Sequence, residues 1–261
     1  MPSSDFPDER DLVPYEASTF VANRVVVFAP HPDDEVLGCG GALADLLDRR
    51  ARLDVVLVTD GAAGARDAEE RGRIAATRME ESRRALDALG GGTVHAGGLP
   101  DRGLGDRLEE VEALLARWLV EAAPDLVFAP SPVETHPDHR AVAVALFRVA
   151  ARPASDPAVR ALDATTVAFF ELSQPFRPNF LVDITRLRAR KERAMDAFVS
   201  QADARDYAGF AMGLSAYRRM TLSRDVLAVE AYSVVGGFRL RSDPGGVVRG
   251  LLPLAPGITG G

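Results

Sequence analysis

From residue 24 to about residue 151, short apolar runs rich in β-branched residues alternate with stretches whose apolar positions recur every three or four residues. Residues 24–29 (RVVVFA), 53–59 (LDVVLVT), 93–96 (TVHA) and 126–129 (LVFA) have strand length, and their near-continuous apolar character predicts strands covered on both faces. Helices are predicted over 36–48, 69–89, 106–121 and 140–151. The second closes on Gly90-Gly91-Gly92, a strong stop, and the third repeats Leu108, Val111, Leu114, Leu115, Trp118 and Leu119 at helical spacing. Farther on the pattern coarsens. Strands are expected over 165–170, 180–184 and 226–235, helices over 187–198 and 204–220, and a Gly/Pro-rich apolar tail at the end.

Strands alternating with helices at this spacing predict βαβ units and an α/β fold, a Rossmann-like, mainly parallel sheet flanked by helices, with a C-terminal elaboration. Right-handed crossovers favour strand order 3-2-1-4-5. The expected organisation is an extended N-terminal arm (1–23), a single domain (24–240) and the tail (241–261). In this order the first and fourth strands are neighbours at the topological switch point, where open sheets place ligands beyond their carboxyl ends. The loops following those two strands hold His31, His136 and His139. His95 stands alone near the third strand and takes no role.

Between Pro30 and the first helix lie His31, Asp33, Asp34 and Glu35. An imidazole and three carboxylates at the end of a buried strand are costly for stability alone and suit a divalent cation. His31 and Asp34, three residues apart across a turn, are a common zinc pairing; a third ligand is offered by His136 or His139. Asp33 is then free to act as general base on metal-activated water, whose pKa falls from about 15.7 towards about 7. The spare histidine, oriented by Asp138, would stabilise an oxyanion or protonate a leaving amine. These parts suit hydrolysis of an amide or ester. One acidic cluster at a helix start is often only a capping arrangement. Two clusters, each directly after a strand and adjacent in space, favour a metal site.

Composition narrows the setting. The chain has 261 residues, enough for one large domain, and its net charge of −7 speaks against nucleic acid or a polybasic membrane contact. The polar, acidic first twenty residues lack the pattern of a signal peptide, and no apolar stretch approaches a membrane span. Cys39 is the only cysteine, so no internal disulfide forms and a cytoplasmic location is expected. Lys191 is the only lysine among 31 basic residues, so a single arginine says little about function. The stretch GCGGAL misses the G-x-G-x-x-G spacing, which weighs against a dinucleotide-binding oxidoreductase.

APHPDDEVLGCGG (29–41) followed by HPDHRA (136–141) resembles the signature of the PIG-L/LmbE family of metal-dependent N-acetylglucosaminyl deacetylases. The likeness extends through VTDG (58–61), Arg78 and Glu81 ahead of Leu89-Gly90, LPD (99–101), and Lys191 with Ser200-Gln201, about residues 24–201. YRRMTL and VEAY resemble C-terminal segments of some members. The resemblance implies that His31, Asp34 and His139 bind the metal, normally Zn2+ with Fe2+ or another first-row ion as alternatives. It implies Asp33 as general base and His136 as general acid or oxyanion stabiliser, tuned by Asp138. Arg78 would grip the sugar, and Asp101 would lie on the substrate loop. Glu35 reads as a carboxylate behind the ligands, Asp60 as a turn residue, and Cys39 as packed against the sheet. The implied partner is a small amino-sugar or glycoconjugate substrate carrying an N-acetyl or longer N-acyl group. An amidase acting on a thiol-sugar conjugate would use the same residues. A sugar- or metal-binding protein without activity would not need Asp33 or His136. The acyl acceptor and oligomeric state are left open.

Overall fold

The computed structural model describes residues 8–201 and 206–252. Its elements run α1 (Glu9–Leu12), β1 (Arg24–Ala29), α2 (Asp34–Asp48), β2 (Arg52–Thr59), α3 (Ala68–Leu89), β3 (Thr93–Leu99), α4 (Leu108–Ala122), β4 (Leu126–Pro130) and α5 (Pro137–Ala150). Then come α6 (Pro157–Asp163), β5 (Thr166–Phe170), β6 (Phe180–Asp183), α7 (Arg188–Met195), α8 (Tyr207–Tyr217), β7 (Val229–Gly236), α9 (Gly237–Ser242) and α10 (Pro244–Leu251). Short 3₁₀ turns cover Leu104–Arg107, Val199–Gln201 and Arg218–Thr221.

The strands form one seven-stranded sheet in the order β3-β2-β1-β4-β5-β7-β6. The first five pair in parallel, in the expected order. β7 then runs antiparallel between β5 and β6 and extends the sheet. Side chains of β1 alternate between two cores. Val25, Val27 and Ala29 meet α2, α3 and α7, whereas Val26 and Phe28 meet α4, α5 and α6. Each fully buried Val, Leu or Phe contributes about 1.5–3 kcal/mol, which is what holds helices on both faces. α2 lies unusually close to the sheet: a Cβ on Gly38 would run into the Phe170 ring and one on Gly41 into Ile184. Small residues there let the start of α2 reach the strand ends.

Several boundaries differ from the sequence reading, each for a local reason. The helix expected from residue 140 begins at Pro137, because proline suits the first helical position and His136 caps it. HPDH is therefore a cap and first turn, not a loop. α6 was not anticipated, although Asp156 caps it and Pro157 opens it. α9 crosses from the expected domain into the expected tail at 241, and the tail goes on to form α10 as far as residue 251. Asp243 caps the second of these, and Val247 and Leu251 are buried. Residues 253–261 of that tail lie outside the described residues. The arm is not simply extended. It holds α1, bridges Ser18 to Val182, and buries Phe20 against Phe180, Phe128 and Tyr232 at 4.5–5.1 Å between ring centroids. No described helix is long and apolar enough to cross a membrane.

Candidate active site and metal centre

β1 has β2 on one side and β4 on the other, so the chain's direction of winding reverses there and a crevice opens beyond their carboxyl ends. The segment leaving β1 turns at Pro30 and Pro32 into α2. Asp33, at the turn, has φ 117° and ψ −31°, a conformation costing a non-glycine residue about 1–3 kcal/mol. Its surroundings hold it there. The Asp33 N–H donates to Glu35 Oε2 at 3.0 Å, and Arg78 Nη2 donates to Asp33 Oδ2 at 2.9 Å. The same guanidinium donates to the carbonyls of Pro32 and, at 3.0 Å, Gly61. Gly61, at φ +63°, has no room for a side chain beside Pro32 and Arg78. Arg78 is thus buried, on a helix whose charge pattern reads as solvated.

Asp34 Oδ2 is the meeting point. It accepts the backbone N–H of His31 at 2.9 Å, and lies 3.1 Å from His31 Nδ1 and 3.2 Å from His139 Nε2. His31, His136 and His139 bring ring nitrogens within 4.8 Å of one another, and His31, Asp101 and Asp138 bring a second set equally close. Both groupings share His31, and Asp34 bridges His31 to His139. Ligands bonded at about 2.0–2.2 Å in a tetrahedron stand roughly 3.3–3.5 Å apart. The spacings around Asp34 are close to that.

The electrostatics favour added positive charge. Burial disfavours the His31 imidazolium, yet hydrogen bonds to Asp101, Asp138 and Asp34 raise its pKa well above the usual value. Against the same burial, the charge and hydrogen bond of Asp34 take His139 up to about 9. Asp34 is held well below the ordinary carboxylate range, despite burial, chiefly by His139 and His31. His139 Nδ1 has no hydrogen-bond partner and faces Glu134 Oε2 at 3.7 Å. A carboxylate behind the second nitrogen is the usual support of a ligating histidine. Imidazole and carboxylate donors gathered in this way suit a first-row divalent ion: His31 with His136 and His139 or with Asp101 and Asp138, and Asp34 against both His31 and His139.

Asp33 is pushed up to about 8 by burial and by the Asp34 charge, with Arg78 pulling the other way. Burial takes Glu35 up to about 7, and its Oε1 has no partner. His136 is lowered, first by burial and then by the charges of His31 and His139.

The Asp138 carboxylate does not orient the His136 ring, contrary to expectation. It accepts the N–H groups of Arg102 and Leu104 and lies 3.2 Å from His31 Nε2, while His136 Nδ1 accepts the Asp138 backbone N–H at 3.2 Å. Asp101 Oδ1 also lies against His31 Nε2, at 3.3 Å. His95 pairs with Asp54 at 2.8 Å, Asp60 accepts the Ala62 N–H of its turn, and Cys39 is buried.

Glu134 escaped the sequence reading. It sits between the fourth strand and HPDH and accepts hydrogen bonds from Leu172 and Ser173. Glu230 escaped it too. Its carboxylate takes Lys191 Nζ at 2.7 Å, the N–H groups of Gly41 and Ala42, and the Tyr232 hydroxyl, tying α2 to β7. Lys191 also donates to the Leu37 carbonyl. Glu81 anchors Ser200 through both its N–H and its hydroxyl.

His31, Asp33, Asp34, Arg78, Asp101, His136 and His139 all line one cleft of ≈ 1210 Å³. Residues 26–150 match the PIG-L family model, described as GlcNAc-PI de-N-acetylase. The diacetylchitobiose deacetylase of Thermococcus kodakarensis is 30% identical over 187 residues, 68% of this chain and 70% of that one. A 1D-myo-inositol 2-acetamido-2-deoxy-alpha-D-glucopyranoside deacetylase of Corynebacterium glutamicum is 32% identical over 145 residues, 44% of this chain and 49% of that one. Among solved structures, the N,N'-diacetylchitobiose deacetylase from Pyrococcus horikoshii, in complex with an inhibitor, superposes with a TM-score of 0.70 at 27% identity. The likeness covers 84% of this chain and 85% of that one.

Proposed function

The chain belongs to the PIG-L family of deacetylases, and from that premise we propose that it is a zinc-dependent hydrolase releasing an N-acetyl or N-acyl group from an amino sugar or glycoconjugate. The observation that carries this reading is Asp34 Oδ2 set between His31 and His139, with the Asp33 carboxylate held beside them in a strained turn.

His31, Asp34 and His139 would hold the cation, zinc in the first instance, and ferrous iron would suit the same nitrogen and oxygen donors. When bound, it supplies Lewis acidity that makes hydroxide available near neutral pH and polarises the amide carbonyl. Asp33, as its carboxylate, accepts a proton from the attacking water. The amide carbon takes the hydroxyl and becomes tetrahedral. His136 donates a hydrogen bond to the oxyanion or a proton to the leaving nitrogen, which departs as the free amine with acetate as co-product. Asp138 and Asp101 fix the His31 ring from its Nε2 side. Asp101 and Arg78 line the cleft as the proposed sugar contacts, with Arg78 acting also as the clamp on Asp33. A binding protein without activity has no use for a carboxylate kept in a conformation that costs about 1–3 kcal/mol.

The test is a panel of N-acetylated amino sugars with the zinc-loaded protein, read as free amine and acetate. Turnover is expected on at least one member. Asp33→Asn should retain its metal, measured by elemental analysis, while losing about 10²–10⁴-fold in kcat. Metal retention with no turnover across the panel would sink the hydrolase reading; an active Asp33→Asn enzyme would sink the assignment of the base.

A further inference from the structure

The cleft is larger than its reacting end requires. Its ≈ 1210 Å³ exceeds the about 300–1,000 Å³ typical of small-molecule pockets. Its lining also changes along the top of the sheet. Beyond β3 and β2 it offers charge and hydrogen bonds from Asp101, Arg102 and Arg78. Towards β7 it is walled by α8. Tyr207, Phe210, Ala211, Leu214 and Ser215 of that helix all line it, a spacing of i, i+3, i+4, i+7 and i+8 that marks one helix face. Leu37 and Leu172 line the cleft as well, and so do the polar Glu171, Ser173, Lys191 and Glu230. Ser215 is the only buried residue of α8, and Phe210 is 68% exposed. Ala211 packs against the core and Leu214 is half-buried, so the exposed part of this face is Tyr207 and Phe210, in the same cleft as the reacting groups.

Resting on the hydrolase reading above, we propose that this face is an acyl-chain subsite and that the substrate is an amino sugar bearing an aliphatic N-acyl group longer than acetyl. The hydroxylated ring belongs at the Asp101–Arg102 end, because its hydroxyls need partners that Phe210, Ala211, Leu214, Leu37 and Leu172 do not offer. The acyl chain needs none and gains from each methylene it removes from water. The reaction stays a hydrolysis: the amide C–N bond breaks, the hydroxyl of water joins the acyl carbon, the remaining proton goes to nitrogen, and a fatty carboxylate leaves.

The experiment compares kcat/KM of the zinc-loaded full chain for N-acetyl-, N-butanoyl- and N-octanoylglucosamine, with the octyl glycoside of N-acetylglucosamine as a second arm. A fully buried methylene is worth about fourfold, so on a half-open face the octanoyl compound should exceed the acetyl one by at least ~10-fold. Leu214→Asn and Phe210→Ser should each cut that ratio by at least about threefold. A flat chain-length series overturns the proposal. So does a gain confined to the octyl glycoside, which would make the face an aglycone site. A protein that self-associates through α8, and that Phe210→Ser splits into monomers without changing the ratio, overturns it as well. Should no N-acyl compound turn over, the hydrolase reading fails separately. The subsite is then read by calorimetry with N-octylglucosamine against N-ethylglucosamine, where octyl binding at least ~10-fold tighter supports it and equal binding ends it.

Discussion

The guanidinium of Arg78 lies 2.9 Å from the carboxylate of Asp33, although 45 positions of chain separate them. The contact couples the strained turn after β1 to the middle of α3, and a third bond to Gly61 brings in the loop after β2. Arg78 therefore fixes where the proposed base stands and also how readily it ionises.

Removing that charge should change the pH profile in a definite direction. Burial and Asp34 hold Asp33 up, to about 8, and Arg78 opposes them by favouring the carboxylate. In Arg78→Ala the protonated acid gains, so at a given pH less of the base is available. The acid limb of the kcat/KM profile should move to higher pH, and kcat/KM at pH 7 should fall by about 10²-fold. Arg78→Lys should restore part of the limb's position but not the rate, because an ammonium supplies the charge without the fork. A profile unmoved by Arg78→Ala would show that the pair does not set the ionisation of Asp33.

Metal should stabilise the fold as well as support turnover. A ligand that binds only the native state adds RT ln(1 + [L]/Kd), about 2.7 kcal/mol at 100 Kd. Zinc is expected to raise the calorimetric melting temperature of chelator-stripped protein. A chelator should reverse the rise, and His139→Ala should lose most of it. Equal melting temperatures with and without divalent ions would rule out the centre at His31, Asp34 and His139.

Much of this arrangement is legible in the chain. β1 to β5 and their parallel order follow from apolar runs alternating with amphipathic helices, a local pattern with one handed solution. The placing of β7 between β5 and β6 is not local: Phe170 pairs with Tyr232, far along the chain and antiparallel. The burial of Arg78 is hidden because α3 is charged all along, and nothing in its sequence distinguishes the arginine that points inward. Glu134 and Glu230 are hidden for a related reason. Each is defined by backbone N–H groups of a distant segment, Leu172 and Ser173 for one, Gly41 and Ala42 for the other. The helix at 244–251 is hidden because Gly245 and Gly246 read as breakers. The Asp243-Pro244 start outweighs them, since one residue caps the helix and the next presets its first turn.

Lys191 and Glu230 make a buried ion pair, 1% and 2% exposed in their side chains, that also closes backbone groups of α2. Glu230→Leu would leave the ammonium unpaired and should cost about 3–5 kcal/mol, read from urea unfolding. The double variant Lys191→Met/Glu230→Leu removes both charges and should recover a large part of that loss, since an apolar replacement of a whole pair is often near neutral. It should not recover all, because Gly41, Ala42 and Tyr232 still lose their acceptor. If the losses of Glu230→Leu and of Lys191→Met alone simply add up in the double variant, the pair is not coupled.

Two helical glycines should respond to the same substitution with opposite signs. Glycine in a helix interior is about 0.5–1 kcal/mol less favourable than alanine, because it loses more backbone freedom on folding. Gly72 of α3 is exposed, and an added Cβ there would meet nothing within 4 Å. Gly72→Ala should therefore raise stability by about 0.5–1 kcal/mol. Gly38 of α2 is buried, and its Cβ would press into the Phe170 ring on β5, which is itself fully buried and cannot swing away. Overpacking of this kind costs about 1–3 kcal/mol and outweighs the helical gain. Gly38→Ala should lower the urea midpoint, and because α2 starts at Asp34 it should also displace that proposed ligand and weaken the proposed binding of zinc. Phe170→Leu makes room, so it should restore stability in the Gly38→Ala background while costing some in the wild type. If Gly38→Ala were as stabilising as Gly72→Ala, the close approach of α2 to β5 would not be what places Asp34 at the strand ends.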